Sequence, residues 1–334
     1  MGSVPPPTRI LITGGAGFIG QDLAAALINA SSNVHLTLTD VIQPPVPTSV
    51  SQHADRFITT KCDLTDSTVV ADLFRDPFDA VYLLHGLMSG GAEANLELGW
   101  RVNWDSHRSV IDYLRHNHPG TVTVFPSSLA VYGPPQNADG TVAVTSEQTC
   151  PQPQSSYGAQ KLMVETYLND MSRRGLLDGR IVRLPTIIVR PGAPSAAASS
   201  FCSGIVREPV NGIPTTLPVS RDLELWVCSP ETVVENLVRI KDVPGAKFGK
   251  SRVVNLPGIT VTSHEILSAL SEVKGKEILD LITEERDPKI EAIVGSWPAR
   301  FDTTKANGIG MKADVSLTEN ITLFAQRQKQ VKQS

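Results

Sequence analysis

Residues 9–20 read Arg-Ile-Leu-Ile-Thr-Gly-Gly-Ala-Gly-Phe-Ile-Gly, and this stretch decides the fold. It begins as a short apolar run, and after the glycines the apolar spacing becomes that of a helix, which we predict from Phe18 to Ala30. Glycine lets the chain bend sharply between a strand and a helix, and it lets backbone N–H groups approach a phosphate closely. The stretch therefore predicts the start of a β-α-β unit with a phosphate-binding turn at Gly14, Gly17 and Gly20.

Strand and helix patterns alternate through the first half of the chain. This alternation favours a parallel, doubly wound sheet with helices on both faces, an α/β fold of Rossmann type. The predicted strands are 9–13, 34–39, 56–60, 80–84, 122–125, 181–184 and 253–256, and the predicted helices are 18–30, 66–75, 93–116, 156–174, 230–241, 264–273 and 316–334, with Ser229 and Ser263 as N-caps.

The sequence changes in character near residue 186. Prolines at 191, 194, 209, 214 and 218 and a run of small residues at 195–200 predict a loop-rich lobe. We therefore expect residues 8–185, with later contributions near 225–257, to form a nucleotide-binding domain. Residues 186–224 and 258–330 are expected to form a smaller C-terminal substrate lobe.

Composition excludes several classes of partner. The 334 residues are 41% apolar with a net charge of −4, so neither nucleic acid nor an anionic membrane surface is expected as a partner. No apolar run reaches the roughly 18 residues of a membrane span, prolines occupy the chain start, and Pro6 departs from the myristoylation pattern. The cysteines at 62, 150, 202 and 228 lack metal-ligand spacing, so we predict reduced, buried thiols in a cytoplasmic protein.

Asp40 is predicted to select the cofactor. It lies twenty residues beyond Gly20, at the end of the second predicted strand. Its carboxylate can accept a hydrogen bond from a ribose 2′-hydroxyl but repels a 2′-phosphate, and residues 41–43 supply no arginine for that phosphate. The cofactor is therefore expected to be NAD; without the glycines, Asp40 would be read as a solvated loop carboxylate.

Tyr157 and Lys161 are the candidate catalytic pair. Their i, i+4 spacing puts both side chains on one helix face, and a close ammonium favours the phenolate of a phenol whose free pKa is about 10. Alone, the pair could equally lie on an exposed helix surface. Ser127 and Ser128 follow a predicted strand, at the sheet edge where such folds hold ligands, although serines there also form turns.

The glycine turn, Ser-Ser-x-x-Val-Tyr-Gly at 127–133 and Tyr-x-x-x-Lys at 157–161 together resemble the extended short-chain dehydrogenase/reductase family, which includes sugar-nucleotide epimerases and dehydratases. The resemblance implies that Ser128, four residues before Tyr132, assists Tyr157 and Lys161 in catalysis. It also implies a homodimer formed through helices 93–116 and 156–174. No metal is expected, because the phenol and hydroxyl supply the polarisation.

The same resemblance implies a set of cofactor contacts. Asp63 would meet the adenine amino group, although an N-cap of the helix beginning near Asp66 is the alternative. The expected contacts are Gly14, Gly17, Phe18, Ile19, Gly20, Asp40, Asp63, Leu64, Leu84, His85, Gly86, Asn103, Tyr157, Lys161 and Pro185.

A narrower likeness covers residues 8–320. The stretches 89–94, 183–186, 190–192, 196–201, 204–209 and 295–302 resemble the D-erythronate dehydrogenases, which implies oxidation of a small sugar acid with Tyr157 as the base. Expected substrate contacts are Ser89, Ser128, Thr186, Ser200 and Arg207. Arg207 is our candidate for the carboxylate, with a surface ion pair to Glu208 as the alternative. Trp226 would either close the pocket or lie in the core.

His85 departs from that subfamily, whose fourth strand usually ends His-Leu-Ala-Ala where this chain has Leu83-Leu84-His85-Gly86. His85 could be a core residue or lie beside cofactor or substrate. The departure keeps open a secondary-metabolism dehydrogenase with a different hydroxy substrate. Two further alternatives are a sugar-nucleotide epimerase, which would need basic residues such as Arg190, Arg207 and Arg221, and a redox sensor that reads NAD without chemistry.

Overall fold

The computed structural model describes residues 6–134, 141–195 and 197–333. The first five residues and Ala196, on which parts of the sequence predictions rest, lie outside the described residues. The strands are β1 (Thr8–Thr13), β2 (Val34–Asp40), β3 (Phe57–Lys61), β4 (Ala80–Leu83), β5 (Val122–Ser128), β6 (Asp178–Leu184), β7 (Thr186–Ile187), β8 (Thr215–Leu217), β9 (Glu224–Cys228), β10 (Val253–Asn255), β11 (Ile259–Thr262) and β12 (Ile282–Glu284).

Helices flank these strands on both sides. They are α1 (Phe18–Ala30), α2 (Ser67–Leu73), α3 (Ser89–Ala94), α4 (Leu96–Trp100), α5 (Ser106–Asn117), α6 (Ser156–Arg173), α7 (Ser200–Val210), α8 (Pro230–Ile240), α9 (Ser263–Lys274), α10 (Pro288–Val294), α11 (Thr304–Gly308) and α12 (Leu317–Gln333). A π-helical turn, Arg101–Asp105, joins α4 to α5. The helix predicted over 93–116 is therefore interrupted, because Asn95 ends α3 and caps α4.

Seven strands form one parallel sheet in the order β10-β6-β5-β4-β1-β2-β3. Side chains alternate across it, so Ile10 and Ile12 of β1 pack on the side of α1 and α8, whereas Leu11 packs on the side of α5 and α6. Apolar burial on both faces explains why these strands are near-continuous apolar runs. The predicted Rossmann-type α/β fold is confirmed.

A second apolar cluster lies under the C-terminal part of the chain. Three strands form the sheet β11-β9-β7, two more pair as β12-β8, and α7, α9 and α12 contribute buried side chains such as Ile205, Ile266 and Ile321. One residue, Pro185, separates β6 of the main sheet from β7 of the small sheet. The division of the chain into two domains stays a prediction.

The loop-rich character predicted after residue 186 is wrong in part, because α7 occupies 200–210. Its residues from Phe201 to Arg207 are all buried, so it lacks the apolar stripe by which a surface helix is recognised. Pro209 lies in the last turn of the helix. Ser229 caps α8 as predicted, whereas α9 is capped by Thr262 and not Ser263, through a reciprocal capping box with Glu265.

The four cysteines differ in their exposure to solvent. All four thiols are free, but Cys150 is exposed, which contradicts the prediction that all are buried. Burial raises the pKa of the Cys202 thiol to about 12, which makes it a poor nucleophile.

Within the described residues, no helix has both the length and the apolar composition that crossing a membrane requires.

Candidate active site

A cavity of about 680 Å³ opens at the carboxyl ends of the main-sheet strands. It continues past the end of β6 to residues of the C-terminal part, including Arg190 and Trp297. Predicted site residues that line it are Gly14, Gly17, Phe18, Ile19, Gly20, Asp40, Asp63, Leu64, Leu84, His85, Gly86, Ser89, Ser128, Tyr157, Lys161, Pro185, Thr186 and Arg207.

The glycine turn forms one wall of this cavity. Gly14 has φ +68°, and a Cβ there would lie 2.7 Å from the His85 nitrogen, while a Cβ at Gly20 would lie 2.5 Å from the Gly14 oxygen. Gly17 is the N-cap of α1 and no side chain caps the helix, so its first N–H groups remain available to a ligand. This cradle fits a pyrophosphate.

Two carboxylates border the same end of the cavity. Asp40 is held by the backbone N–H groups of Ala16 and Val41, at 3.1 and 2.7 Å, and its position fits a ribose hydroxyl. Asp63 accepts hydrogen bonds from the backbone and hydroxyl of Thr65, which hold the pKa of its carboxyl below the usual value. Asp66, not Asp63, caps α2, so the N-cap alternative for Asp63 is wrong.

Helix α6 places Tyr157 and Lys161 on the cavity wall. Ser155 caps the helix, and a Cβ at Gly158 would lie only 2.2 Å from the Ala130 oxygen, so α6 packs closely against the segment after β5. The Lys161 ammonium donates to the Pro126 carbonyl oxygen at 2.9 Å and lies 5.6 Å from the centre of the Tyr157 ring. The surface-pair alternative is wrong, since Lys161 is 5% exposed.

Burial changes the pKa of both groups. It raises the pKa of Tyr157 to about 12, and the cation that opposes this rise is Arg190. Burial lowers the pKa of Lys161 to about 8, against the opposing effect of Glu165. The effect of Lys161 on the phenol pKa stays a prediction, with the ammonium held near the Tyr157 ring by the Pro126 carbonyl.

Hydroxyl groups line the cavity between the glycine turn and α6. Ser128 accepts a hydrogen bond from the Ala130 N–H at 3.1 Å. Ser127 and Thr39 also line the cavity, and their hydroxyls are buried without a hydrogen-bond partner among the described residues. Buried hydroxyls normally have partners, so these two fit a polar ligand such as the sugars and phosphates of NAD.

His85 lies in a network of neutral groups. Its ring nitrogens are 2.7 Å from the Thr13 hydroxyl and 2.9 Å from the Ser106 hydroxyl, and its ring stacks on His107 with 3.9 Å between centres. The Thr13 hydroxyl donates to the Tyr82 carbonyl and the Ser106 hydroxyl to the Val102 carbonyl, so either hydroxyl oxygen can accept the single N–H of a neutral ring. Burial lowers the pKa of His85 to about 3, so the ring is neutral at pH 7.

Asn103 and Ser200 do not line the cavity. The Asn103 amide accepts from the Leu87 N–H at 2.7 Å and donates to Gln160 at 2.8 Å, which ties the loop after β4 to α6. Ser200 accepts a hydrogen bond from the Ser195 N–H. Trp226 is buried against Phe301, with 5.1 Å between ring centres, so its core alternative holds.

Other cavity residues were not predicted as contacts. Ser106, Arg101, Arg190 and Trp297 line the cavity. Arg190 was named only as a cation that an epimerase would need, and Trp297 belongs to a stretch whose likeness to relatives was its only signal. No cluster of three or more His, Cys, Asp or Glu side chains with metal-binding geometry occurs at 6–134, 141–195 or 197–333.

A parallel sheet with a phosphate cradle and a carboxylate for ribose, facing a Tyr-Lys-Ser group, defines a dinucleotide-dependent oxidoreductase. The chain belongs to the NAD dependent epimerase/dehydratase family, whose model matches residues 10–221. It is accordingly an enzyme that uses NAD.

Two relatives match over nearly the full length. A D-erythronate dehydrogenase of Cupriavidus necator is 41% identical over 328 residues, covering 95% of this chain and 97% of the relative. A D-erythronate dehydrogenase of Haemophilus influenzae is 40% identical over 321 residues, covering 95% and 98%. The crystal structure of a nucleoside-diphosphate-sugar epimerase from Agrobacterium tumefaciens superposes with a TM-score of 0.88 at 31% identity, covering 99% of this chain and 98% of that one. The two dehydrogenase relatives support NAD-dependent dehydrogenase activity.

Proposed function

We propose that the chain catalyses NAD-dependent oxidation of the secondary alcohol of a small, D-erythronate-like sugar acid to the 2-oxo acid. The observation that carries the proposal is one cavity that is lined both by the glycine turn with Asp40 and by Tyr157 with Ser128. The names and full-length coverage of the two dehydrogenase relatives support the substrate class.

The reaction assigns a task to each side chain. Tyr157, as phenolate, takes the proton of the substrate hydroxyl, and Ser128 hydrogen-bonds the same oxygen as the carbonyl forms. Lys161 and Arg190 provide the positive charge near the phenolate. NAD⁺, when bound by the glycine turn and Asp40, supplies the acceptor for the hydride from C2. Because burial raises the Tyr157 pKa to about 12, the oxidation rate should increase with pH as more of the phenol ionises.

The test is a screen of C3 to C6 hydroxy acids with NAD, read as NADH formation. At least one such acid should give turnover, and Tyr157→Phe should abolish it while NAD binding stays nearly intact. Tyr167→Phe is the matched control, because Tyr167 lies on the same helix and its hydroxyl contacts Asp112 away from the cavity. Failure of every hydroxy acid, or an ordinary kcat for Tyr157→Phe, would refute the proposal.

A sugar-nucleotide epimerase is the second candidate, favoured by the name of the Agrobacterium structure. It would need cations for two phosphates, and Arg101, Arg190 and Arg207 do line the cavity. An epimerase regenerates its cofactor in each cycle, whereas a dehydrogenase releases NADH. Accumulation of NADH in step with substrate loss therefore separates the two.

A further inference from the structure

Arg190 lines the cavity and belongs to the segment that follows β7. Its backbone is fixed on both sides by α7, because its N–H donates to the Ser203 hydroxyl at 3.0 Å and its carbonyl accepts from Arg207 at 3.2 Å. Its guanidinium donates to the Ile187 carbonyl at 3.1 Å, to Ser199 at 3.1 Å and to Ser195 at 3.4 Å. The side chain is therefore held in one place by neutral groups.

These contacts leave the Arg190 charge unmatched. A guanidinium has five N–H donors, so three bonds to Ile187, Ser195 and Ser199 leave two donors free, one on each terminal nitrogen. None of the carboxylates in the described part of the chain forms an ion pair with Arg190. Placing an unpaired cation in a partly buried site is costly, and a cation kept there is expected to meet an anionic ligand.

The other two arginines that line the cavity, Arg207 and Arg101, differ from Arg190 in their charge partners. Arg207 is 4% exposed, but its guanidinium pairs with Glu208 at 2.6 Å, so its charge is already neutralised. Arg101 is exposed and interacts electrostatically with Asp63, at the cofactor end. Arg190 is instead close enough to Tyr157 for each to influence the charge of the other. Of the three, Arg190 is the cation that lines the cavity with Tyr157 and has no carboxylate partner among the described residues.

We propose that Arg190, rather than Arg207, binds the substrate carboxylate and so makes the enzyme specific for hydroxy acids over neutral alcohols. This inference rests on the proposed function and names its specificity residue. Two N–H groups on a planar fork suit the two oxygens of a carboxylate. A carboxylate attached to the carbon that carries the hydroxyl would bring that hydroxyl toward Tyr157.

The experiment compares kcat/KM for the best hydroxy acid of the screen with kcat/KM for the primary amide of the same acid. Wild type should prefer the acid, and Arg190→Met should lose about 100-fold or more on the acid but only a few-fold on the amide. Arg190→Lys keeps the charge without the fork and should recover part of the acid activity. Arg221→Met is the matched control, since Arg221 is an exposed arginine of the same part of the chain, paired with Glu284.

The pH profile gives a second readout. Arg190 opposes the rise of the Tyr157 pKa, so Arg190→Met should move the alkaline rise of the amide reaction to higher pH. NADH binding to each variant reports whether the cofactor site is folded, and if Arg190→Met fails this check, Arg190→Lys carries the test. Equal losses on acid and amide would overturn the role of Arg190 while leaving hydroxy-acid oxidation intact. A wild type that oxidises no hydroxy acid would instead overturn the proposed function.

Discussion

Asp40 links one side chain to the choice of cofactor. Two backbone N–H groups fix its carboxylate at the edge of the cavity, where it would both accept from a ribose hydroxyl and repel a 2′-phosphate. Asp40→Asn keeps an oxygen acceptor but removes the charge.

We expect the ratio of kcat/KM for NAD to kcat/KM for NADP to fall about tenfold or more in Asp40→Asn, the size of a hydrogen bond to a charged group. Steady-state kinetics with both cofactors measure this ratio. A wild type that uses NADP as well as NAD would contradict the role of Asp40.

The buried ring of His85 makes the free energy of unfolding depend on pH. Its pKa is about 3 in the folded chain against 6.5 for a free histidine, because burial, and then Lys161, disfavour the cation. Between these values the unfolded chain binds more protons, so the free energy of unfolding rises with pH and is lost as the pH falls. His107, stacked on His85, has a pKa shifted in the same direction.

Replacing His85 by Asn should therefore flatten the dependence of the free energy of unfolding on pH between pH 6.5 and about 3, by up to about 1.4 kcal/mol per pH unit. Urea titrations at several pH values measure the slope, with His264→Asn, at an exposed histidine, as the control. An unchanged slope in His85→Asn would show that His85 is protonated in the folded chain.

At the scale of elements, a buried ion pair joins α6 to β6. Arg183 contacts Glu165 through two nitrogens, at 3.0 and 2.6 Å, and donates to the Tyr132 hydroxyl at 2.6 Å. Glu165 lies one turn beyond Lys161, and Tyr132 belongs to the segment that begins with Ser128. The ion pair therefore connects α6, which carries the catalytic Tyr and Lys, to β6 and to the segment that begins with Ser128.

Removing one partner leaves a buried charge, so Glu165→Leu and Arg183→Met should each lower the free energy of unfolding by about 3–5 kcal/mol. The double variant should be destabilised by much less than the sum, because neither charge remains. Urea unfolding of the two single variants and the double variant provides the cycle. Additive losses would mean that the pair contributes no coupling.

The elements that sequence predicts well are those with a local signal. Helix α1 has the predicted bounds, because the glycine turn and the apolar spacing both mark it. Helix α7 was missed because its buried residues leave no polar face to define a period. In the site, Tyr157 and Asp40 lie in recognisable motifs, whereas Arg190 and Arg207 look alike in sequence. The ion pair of Arg207 with Glu208 was the alternative that the sequence offered, and the structure has it, although buried. Only folding shows that Arg190 has no such partner among the described residues.

On the scale of the whole molecule, α6 and the π-helical turn before α5 carry half-buried aromatic side chains, on the helical face that covers one side of the sheet. Trp104, just before α5, and Tyr167 of α6 lie 6.0 Å apart edge to face, and the Tyr167 hydroxyl donates to Asp112. Aromatic side chains are enriched at protein interfaces. We propose that this face forms a homodimer.

Light scattering should give about 72 kDa, twice the 36.0 kDa of one chain. Trp104→Glu should shift the mass toward that of one chain, because a charge in the interface is costly to bury. A wild-type mass near 36 kDa would exclude the dimer.

Pro185 is the one residue between β6 of the main sheet and β7 of the small sheet, and one cavity is lined by residues on both sides of this junction. For inhibitor design, it matters more that Asp40 and Arg190 line the same cavity than how tightly a fragment would bind at either residue alone. A tether that stays inside the cavity would join an adenosine-like fragment at Asp40 to a carboxylate at Arg190. The second contact would then form at the effective concentration set by the tether, about millimolar for a short flexible one. A small acid that binds weakly alone would become half of a tight, selective ligand.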